Sequence, residues 1–214
     1  MLSMIISLNN QEMLDSFFMP SFLQTQEILK SNSLPEMELV FVEGNKSIFK
    51  NYSIGQAKAK FPVKAYAHQD VNLMEPTWLF KILSAFAENP EYGLFGFVGT
   101  TKLNNRGFWW ESGKENIRGE LFSGKEKADW NFCPISTVVQ AECVDSYFLV
   151  SNRHLNWNEN ARGFHACDME ICRTAASQGY KIGVIPHKAW HIGEIRTMEG
   201  VDELLEEYYK RWNL

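Results

Sequence analysis

Short β-leaning apolar runs alternate along the chain with segments whose apolar positions recur at helical spacing. Met4-Ile5-Ile6-Ser7-Leu8 predicts a first strand, and Asn9-Asn10 a turn or helix cap after it. Met13, Leu14, Phe17 and Phe18 share a helical stripe, which Pro20 is expected to break or kink before the helix resumes over 22–30. Met37 to Val42 predicts a second strand closed by Glu43-Gly44-Asn45, and 51–60 fits a short helix. Pro62 leads into Val63 and Ala65-Tyr66-Ala67, an apolar run that stops abruptly at His68-Gln69-Asp70. A helix start follows at Glu75-Pro76, with Leu79, Ile82, Leu83 and Phe86 on one face, and Tyr92 to Val98 reads as a strand. Over 99–135, glycines, charges and Trp109-Trp110 mix without sustained periodicity; such a stretch is expected to be irregular, and either mobile or functional.

The pattern then sharpens. Thr137 to Val150 is β-like, interrupted by Glu142 and Asp145. A helix from about Asp168 turns Ile171, Cys172, Ala175 and Ala176 inward and ends at Gly179. Lys181 to Ile185 predicts a final strand closed by Pro186, leaving His187, His191 and Gly193 in a loop. Val201, Leu204, Leu205, Tyr208 and Trp212 mark a last amphipathic helix. Strands alternating with helices predict an α/β fold, and the opening strand-helix-strand resembles the nucleotide-binding half of a doubly wound sheet. No GxGxxG follows the first strand, so a dinucleotide fingerprint is absent.

With 214 residues the chain suits a single domain able to bury a large core. The formal charge of -5, with no Lys/Arg cluster, argues against a nucleic-acid surface. No apolar run is long enough to span a bilayer, although peripheral membrane association stays open. Cys133, Cys143, Cys167 and Cys172 show no CxxC pair, and no signal-peptide pattern is seen, so a cytoplasmic location is expected.

His68, Asp70, Asp168 and His191 each follow a strand or open a helix, where a parallel sheet gathers its loops. Together they form a plausible metal and acid/base set, although each alone could be an ordinary polar loop residue. His187 and His191 are four apart, a zinc spacing if helical, but Pro186 and the missing glutamate weaken a zinc hydrolase. If Trp109 and Trp110 lie on a strand they point to opposite faces, so one is expected exposed, as a sugar-stacking platform or merely as core edge. His165 and Asp168, three apart at a helix start, could be capping only, and the helix N-terminus favours an ionised carboxylate.

Taken in order, Glu43-Gly44, His68-Gln69-Asp70 with Pro76-Thr77-Trp78-Leu79, Gly107-x-Trp109-Trp110, Val144-Asp145, Phe164-His165-x-x-Asp168, Gly179-Tyr180-Lys181 and His191-x-Gly193 run over nearly the whole chain. This set resembles the GT-A glycosyltransferases, in particular the small family-2-like group named for a streptomycin-biosynthesis protein. The resemblance implies a mixed, mainly parallel sheet flanked by helices, with 1–98 as a nucleotide-binding half and 99–214 as an acceptor and catalytic half. It implies sugar transfer from a nucleotide-diphosphate donor, UDP-linked by preference, to a glycan or other hydroxyl acceptor, assisted by Mn²⁺ or Mg²⁺ and inverting. Asp70, His191 and His68 would then hold the metal, and Asn9, Glu43, Gln69 and Asp70 the donor. Trp109, Trp110, Asp145 and His165 would face the acceptor, with Asp168 as the base. His68 stands where an Asp is more usual and Cys167 where a Glu often precedes the base. A sugar-binding protein without catalysis on the same fold is the alternative from another class.

Overall fold

The computed structural model describes residues 1–104, 107–161, 163–164, 166–193 and 201–213. In chain order the strands are β1 (Leu2–Ser7), β2 (Glu38–Val42), β3 (Val63–His68), β4 (Val71–Asn72), β5 (Tyr92–Gly96), β6 (Val98–Thr100), β7 (Ile117–Ser123), β8 (Ala128–Cys133), β9 (Val139–Ala141), β10 (Cys143–Val144), β11 (Phe148–Ser151), β12 (Lys181–Val184) and β13 (Lys188–His191). The helices are α1 (Gln11–Met13), α2 (Met19–Ser31), α3 (Ile48–Lys58), α4 (Trp78–Glu88), α5 (Cys167–Ser177) and α6 (Val201–Trp212).

The larger sheet has the order β2-β1-β3-β11-β5-β12-β9. Strands β1, β2 and β3 are mutually parallel, as are β5 and β12, while β11 runs antiparallel between β3 and β5 and β9 antiparallel at the edge. The fold class is therefore the mixed α/β arrangement expected. Because β11 inserts between β3 and β5, the two halves of the chain share one sheet. Side chains at Ser3, Ile5 and Ser7 point to the α3 face, where Asn51 Nδ2 donates to Ser7 Oγ at 2.7 Å and Gly55 leaves room for Ile5. On the opposite face α4 packs Trp78 on Phe148 and Phe86 on Phe95. Trp78 Nε1 donates to Thr25 Oγ1 at 2.9 Å, joining α4 to α2.

A second, smaller sheet has the order β10-β6-β7-β13-β4, with β8 paired to β7. It alters several expectations. The strand expected over Tyr92 to Val98 divides at Phe97: β5 belongs to the large sheet and β6 to the small one. Gly119 makes this crossing possible, since its φ is +95° and a Cβ there would strike the Phe97 carbonyl. The stretch 99–135, expected to be irregular, holds a helical turn at Trp109–Glu111 and the β7–β8 hairpin. Ile117, Gly119 and Leu121 alternate inward with Arg118 and Glu120 outward, a period-2 signal obscured by the charges around it. β12 is not the last strand, because β13 follows and removes His191 from the expected loop.

Two helix starts also differ from expectation. Pro20 does not interrupt the first helix: the chain widens into a π turn over Leu14–Phe18 and continues into α2 with Pro20 at its first turn. The widened turn leaves the Phe17 carbonyl to accept Asn72 Nδ2 at 3.2 Å, and Phe17 packs edge-on against Trp190. Pro76 lies just ahead of α4, where its carbonyl accepts Thr25 Oγ1, and the helix begins at Trp78.

Candidate active site

The apolar run of β3 ends in the sheet at His68, and the chain reverses through Gln69-Asp70 into β4. β13 pairs antiparallel with β4, placing His191 opposite Val71, and the Ile192 N–H donates to the Asp70 carbonyl at 3.0 Å. These backbone bonds bring together side chains far apart in sequence. His191 Nε2 lies 3.4 Å from Asp70 Oδ1 and 3.4 Å from His68 Nδ1. One ligand atom from each of His68, Asp70 and His191 falls within 4.8 Å of the others. Gly193 closes the cluster, since a Cβ there would collide with both Asp70 Oδ2 and His191 Nε2.

Tyr147, which the sequence reading passed over, fixes this geometry. Its carbonyl accepts the His68 N–H at 3.0 Å, its N–H donates to Asp145 Oδ1 at 2.9 Å, and its ring stacks on His191 at 5.4 Å. The only sequence signal for it is a polar break, Asp145-Ser146, inside an apolar stretch. Among the described residues, the Tyr147 hydroxyl and His68 Nε2 are both buried without a hydrogen-bond partner.

The electrostatics divide the residues into two groups. Burial alone would raise the Asp70 pKa, but the hydrogen bond and charge of His191 hold it at about 2. Burial, then the neighbouring His191, pushes His68 down to about 4, so it is neutral with a lone pair free to coordinate. For His191 burial favours the neutral form, and the Asp70 hydrogen bond and charge overcome it and raise the pKa. The second group is acidic and protonation-prone. Burial raises Asp145, and the Trp109 indole N–H tempers that rise without closing a hydrogen bond of its own. Asp168 is pushed up to about 7 by burial and then by the Asp145 charge.

This corrects the picture of Asp168 as a carboxylate kept ionised by a helix dipole. The N-cap of α5 is Ala166, in a left-handed conformation, and Asp168 sits inside the first turn with Oδ1 accepting its neighbour Met169 N–H at 2.9 Å. Of the other expected residues, Gln69 Oε1 accepts the N–H groups of Asn9 and Asn10 at 2.9 and 3.0 Å, and Gln69 Nε2 donates to Asn9 Oδ1. Gln69 and Asn9 thus latch the end of β1 to the end of β3. Glu43 lies exposed just past β2. Trp109 is buried and Trp110 partly exposed, the split expected, although they occupy a helical turn rather than a strand. His165 lies outside the described residues.

His187 is not in this site. Its Nε2 faces the Leu73 carbonyl at 2.8 Å, its Nδ1 lies 3.5 Å from Lys81 Nζ, and its ring packs on Phe97. With both nitrogens engaged in the core it cannot join His191 in a zinc pair, and the hydrolase reading loses its second ligand.

The profile of the glycosyltransferase-like family matches residues 4–212. The chain belongs to that family. No curated protein matches it in sequence. Two solved structures share the fold of this glycosyltransferase-like chain. GalNAc-T7 with UDP, GalNAc and Mn²⁺ is 12% identical with a TM-score of 0.54; the match covers 98% of this chain but only 42% of that one. A Drosophila β1,4-galactosyltransferase 7 variant with manganese, UDP-Gal and xylobiose is 11% identical with a TM-score of 0.53, covering 95% and 78% respectively. At these identities the likeness supports the GT-A fold and not the particular reaction. Among the described residues, no helix is long and apolar enough to cross a membrane.

Proposed function

We propose that this protein transfers a sugar from a UDP-linked donor to a hydroxyl of a glycan or similar acceptor, with inversion at the anomeric carbon. The observation that carries the reading is the meeting of His68, Asp70 and His191 at strand ends, with half-buried Asp145 and buried Asp168 close by. One ionised carboxylate, one neutral imidazole whose Nδ1 lies 3.4 Å from His191 Nε2, and that second imidazole form a donor set that fits a divalent cation. Two nitrogens among three ligands suit Mn²⁺ better than Mg²⁺. Such a cation supplies, when bound, positive charge against the departing diphosphate. Mn²⁺ and UDP in the two structural neighbours support this choice.

The chain's own residues do the rest. Asp168 takes the proton of the acceptor hydroxyl as its oxygen forms the new bond to the anomeric carbon. The old bond from that carbon to the diphosphate oxygen breaks, and its electron pair leaves with the nucleotide. A base with a pKa near 7 is well matched to neutral pH, stronger than an exposed carboxylate yet still partly ionised. Asn9, Gln69 and Glu43 hold the donor side; Asp145, Trp109, Trp110 and His165 hold the acceptor side. Residues 1–98 and 99–214 thus divide by task within one shared sheet. On its motif order we assign the chain to the streptomycin-biosynthesis-like group. Its four unpaired cysteines suit a reducing cytoplasm.

The test is a binding screen of UDP-sugars, and of other nucleotide sugars, with Mn²⁺, Mg²⁺ or EDTA present, followed by transfer assays on the donor that binds. Metal-dependent binding of one donor with turnover supports the reading. Sugar binding without metal dependence or turnover supports the non-catalytic alternative, and no nucleotide-sugar binding sinks both.

A further inference from the structure

A branched row of aromatic rings leads outward from the reaction site. It starts at Trp109, near Asp145, whose ring meets Trp110 at 5.9 Å and Phe132 at 6.1 Å, both edge-on. Phe132 passes it on to Trp130 at 5.6 Å, and Trp110 stacks on Phe108 at 4.7 Å. Exposure grows along both branches, from 4% at Trp109 to 36% at Trp110 on one and to 48% at Trp130 on the other. Trp130 lies in β8, which among the described residues pairs with β7 alone and so forms an edge of the small sheet. An apolar ring half-exposed on an edge strand carries an aggregation hazard that proteins usually avoid.

The hairpin that carries Trp130 is built into the site. β7 runs parallel beside β13, the Gly124 N–H donates to the His191 carbonyl at 3.0 Å, and Trp190 Nε1 donates to the Gly124 carbonyl at 2.9 Å. Charges stand along the same hairpin, where Lys188 Nζ bridges Glu120 and Asp129 at 3.0 Å each. We propose that the two open arms of this aromatic row, Trp110 on one side of Trp109 and Phe132–Trp130 on the other, form an extended acceptor subsite, so that the acceptor is an oligosaccharide several units long. A pyranose presents an apolar C–H face to an indole and turns its hydroxyls sideways to water and polar groups, and the two arms offer aromatic rings with charges alongside. A protein partner fits poorly: the two half-open tryptophans offer on the order of 200 Å² together, against roughly 800 Å² per side in a stable interface.

The inference rests on the proposed glycosyl transfer, and the experiment separates the two. Calorimetry would measure binding of xylose, xylobiose and xylotetraose, with matching galactose and glucose series, while UDP with Mn²⁺ is titrated separately. Affinity should rise with length in at least one series. Trp130→Ala should lower the tetrasaccharide affinity roughly 3–10-fold, leaving the monosaccharide and UDP–Mn²⁺ titrations and the melting temperature nearly unchanged. Trp130→Tyr, which keeps an aromatic face, should retain most of the length dependence. Affinity independent of length in every series, no sugar binding at all, or an unaffected Trp130→Ala variant would overturn the subsite. Self-association of the wild type that disappears in Trp130→Ala would overturn it too, in favour of a contact between copies. Length-dependent binding without any UDP–Mn²⁺ binding would keep the subsite and remove the transferase reading.

Discussion

Asp168 carries the most specific chemistry of any single residue here. Its carboxyl is buried beside Asp145, so the ionised form lacks water and faces a like charge, and its pKa rises to about 7. Folding therefore favours the protonated acid. The resulting stability is fully present below the unfolded carboxylate range and is lost as pH rises through about 7. The proposed role as base needs the opposite form, so turnover should climb with pH through about 7, and Asp145→Asn should move that limb to lower pH. Asp168→Asn removes the buried charge but keeps an oxygen for the Met169 N–H. Its turnover should fall on the order of 10²–10⁴-fold with donor and Mn²⁺ binding retained. Above pH 7 the same variant should melt higher than wild type, a gain on the order of a few kcal/mol. A residue that merely supported the helix start would show lower melting and near-normal turnover, and that pairing would remove Asp168 from the mechanism. Tyr147 acts through others. Tyr147→Leu keeps its backbone bonds to His68 and Asp145 but removes the ring stacked on His191, and should weaken Mn²⁺ binding ~10–100-fold, as loss of a ligand-orienting neighbour does. An unchanged Mn²⁺ isotherm would show that the ring only fills space.

At the scale of elements, the site depends on β13 lying beside β4, and that pairing was the least legible part of the sequence. β1, β2, β3, α5 and α6 announced themselves because each carries several apolar residues at one period. β13 has four residues, follows a proline, and alternates lysine, alanine, tryptophan and histidine, which no periodicity rule separates from a loop. The β7–β8 hairpin was hidden likewise, since its outward charges and glycines read as irregular chain although Ile117, Gly119 and Leu121 face inward. Asp70, His68 and His191 could be nominated because each comes after a strand expected from the sequence. Tyr147 could not, because its backbone bonds to His68 and Asp145 leave no mark on residue type, and its ring meets His191 only through a pairing the sequence does not show. Gly193 was visible as part of a motif, but its reason is steric. Gly193→Ala should leave helix and sheet content intact while forcing Asp70 and His191 apart, so Mn²⁺ binding should drop at least 10-fold. Retained Mn²⁺ binding in that variant would mean the loop moves freely and the glycine does not set the spacing.

Across the whole molecule the proposed ligands come from both sheets: His68 ends β3 in the large sheet, and His191 ends β13 in the small one, with Asp70 in the turn between β3 and β4. A cation held by all three would therefore link the sheets and bind only the folded state. A ligand at about 100 times its dissociation constant stabilises by ~2.7 kcal/mol. In a domain of this size each kcal/mol raises Tm by roughly 2–4 °C, so saturating Mn²⁺ should raise it by about 5–10 °C over the EDTA-treated protein. The two-imidazole set predicts a smaller rise with Mg²⁺ at equal concentration, since Mg²⁺ prefers oxygen ligands and parts with water reluctantly. His191→Ala should abolish the Mn²⁺ shift. His187→Ala should lower the starting Tm, because it opens the core beside Phe97 and leaves the Leu73 carbonyl unpaired, yet keep the Mn²⁺ shift intact. Melting curves of these two variants with Mn²⁺, Mg²⁺ and EDTA decide the matter: equal shifts in His191→Ala and wild type would place any bound metal elsewhere in the protein.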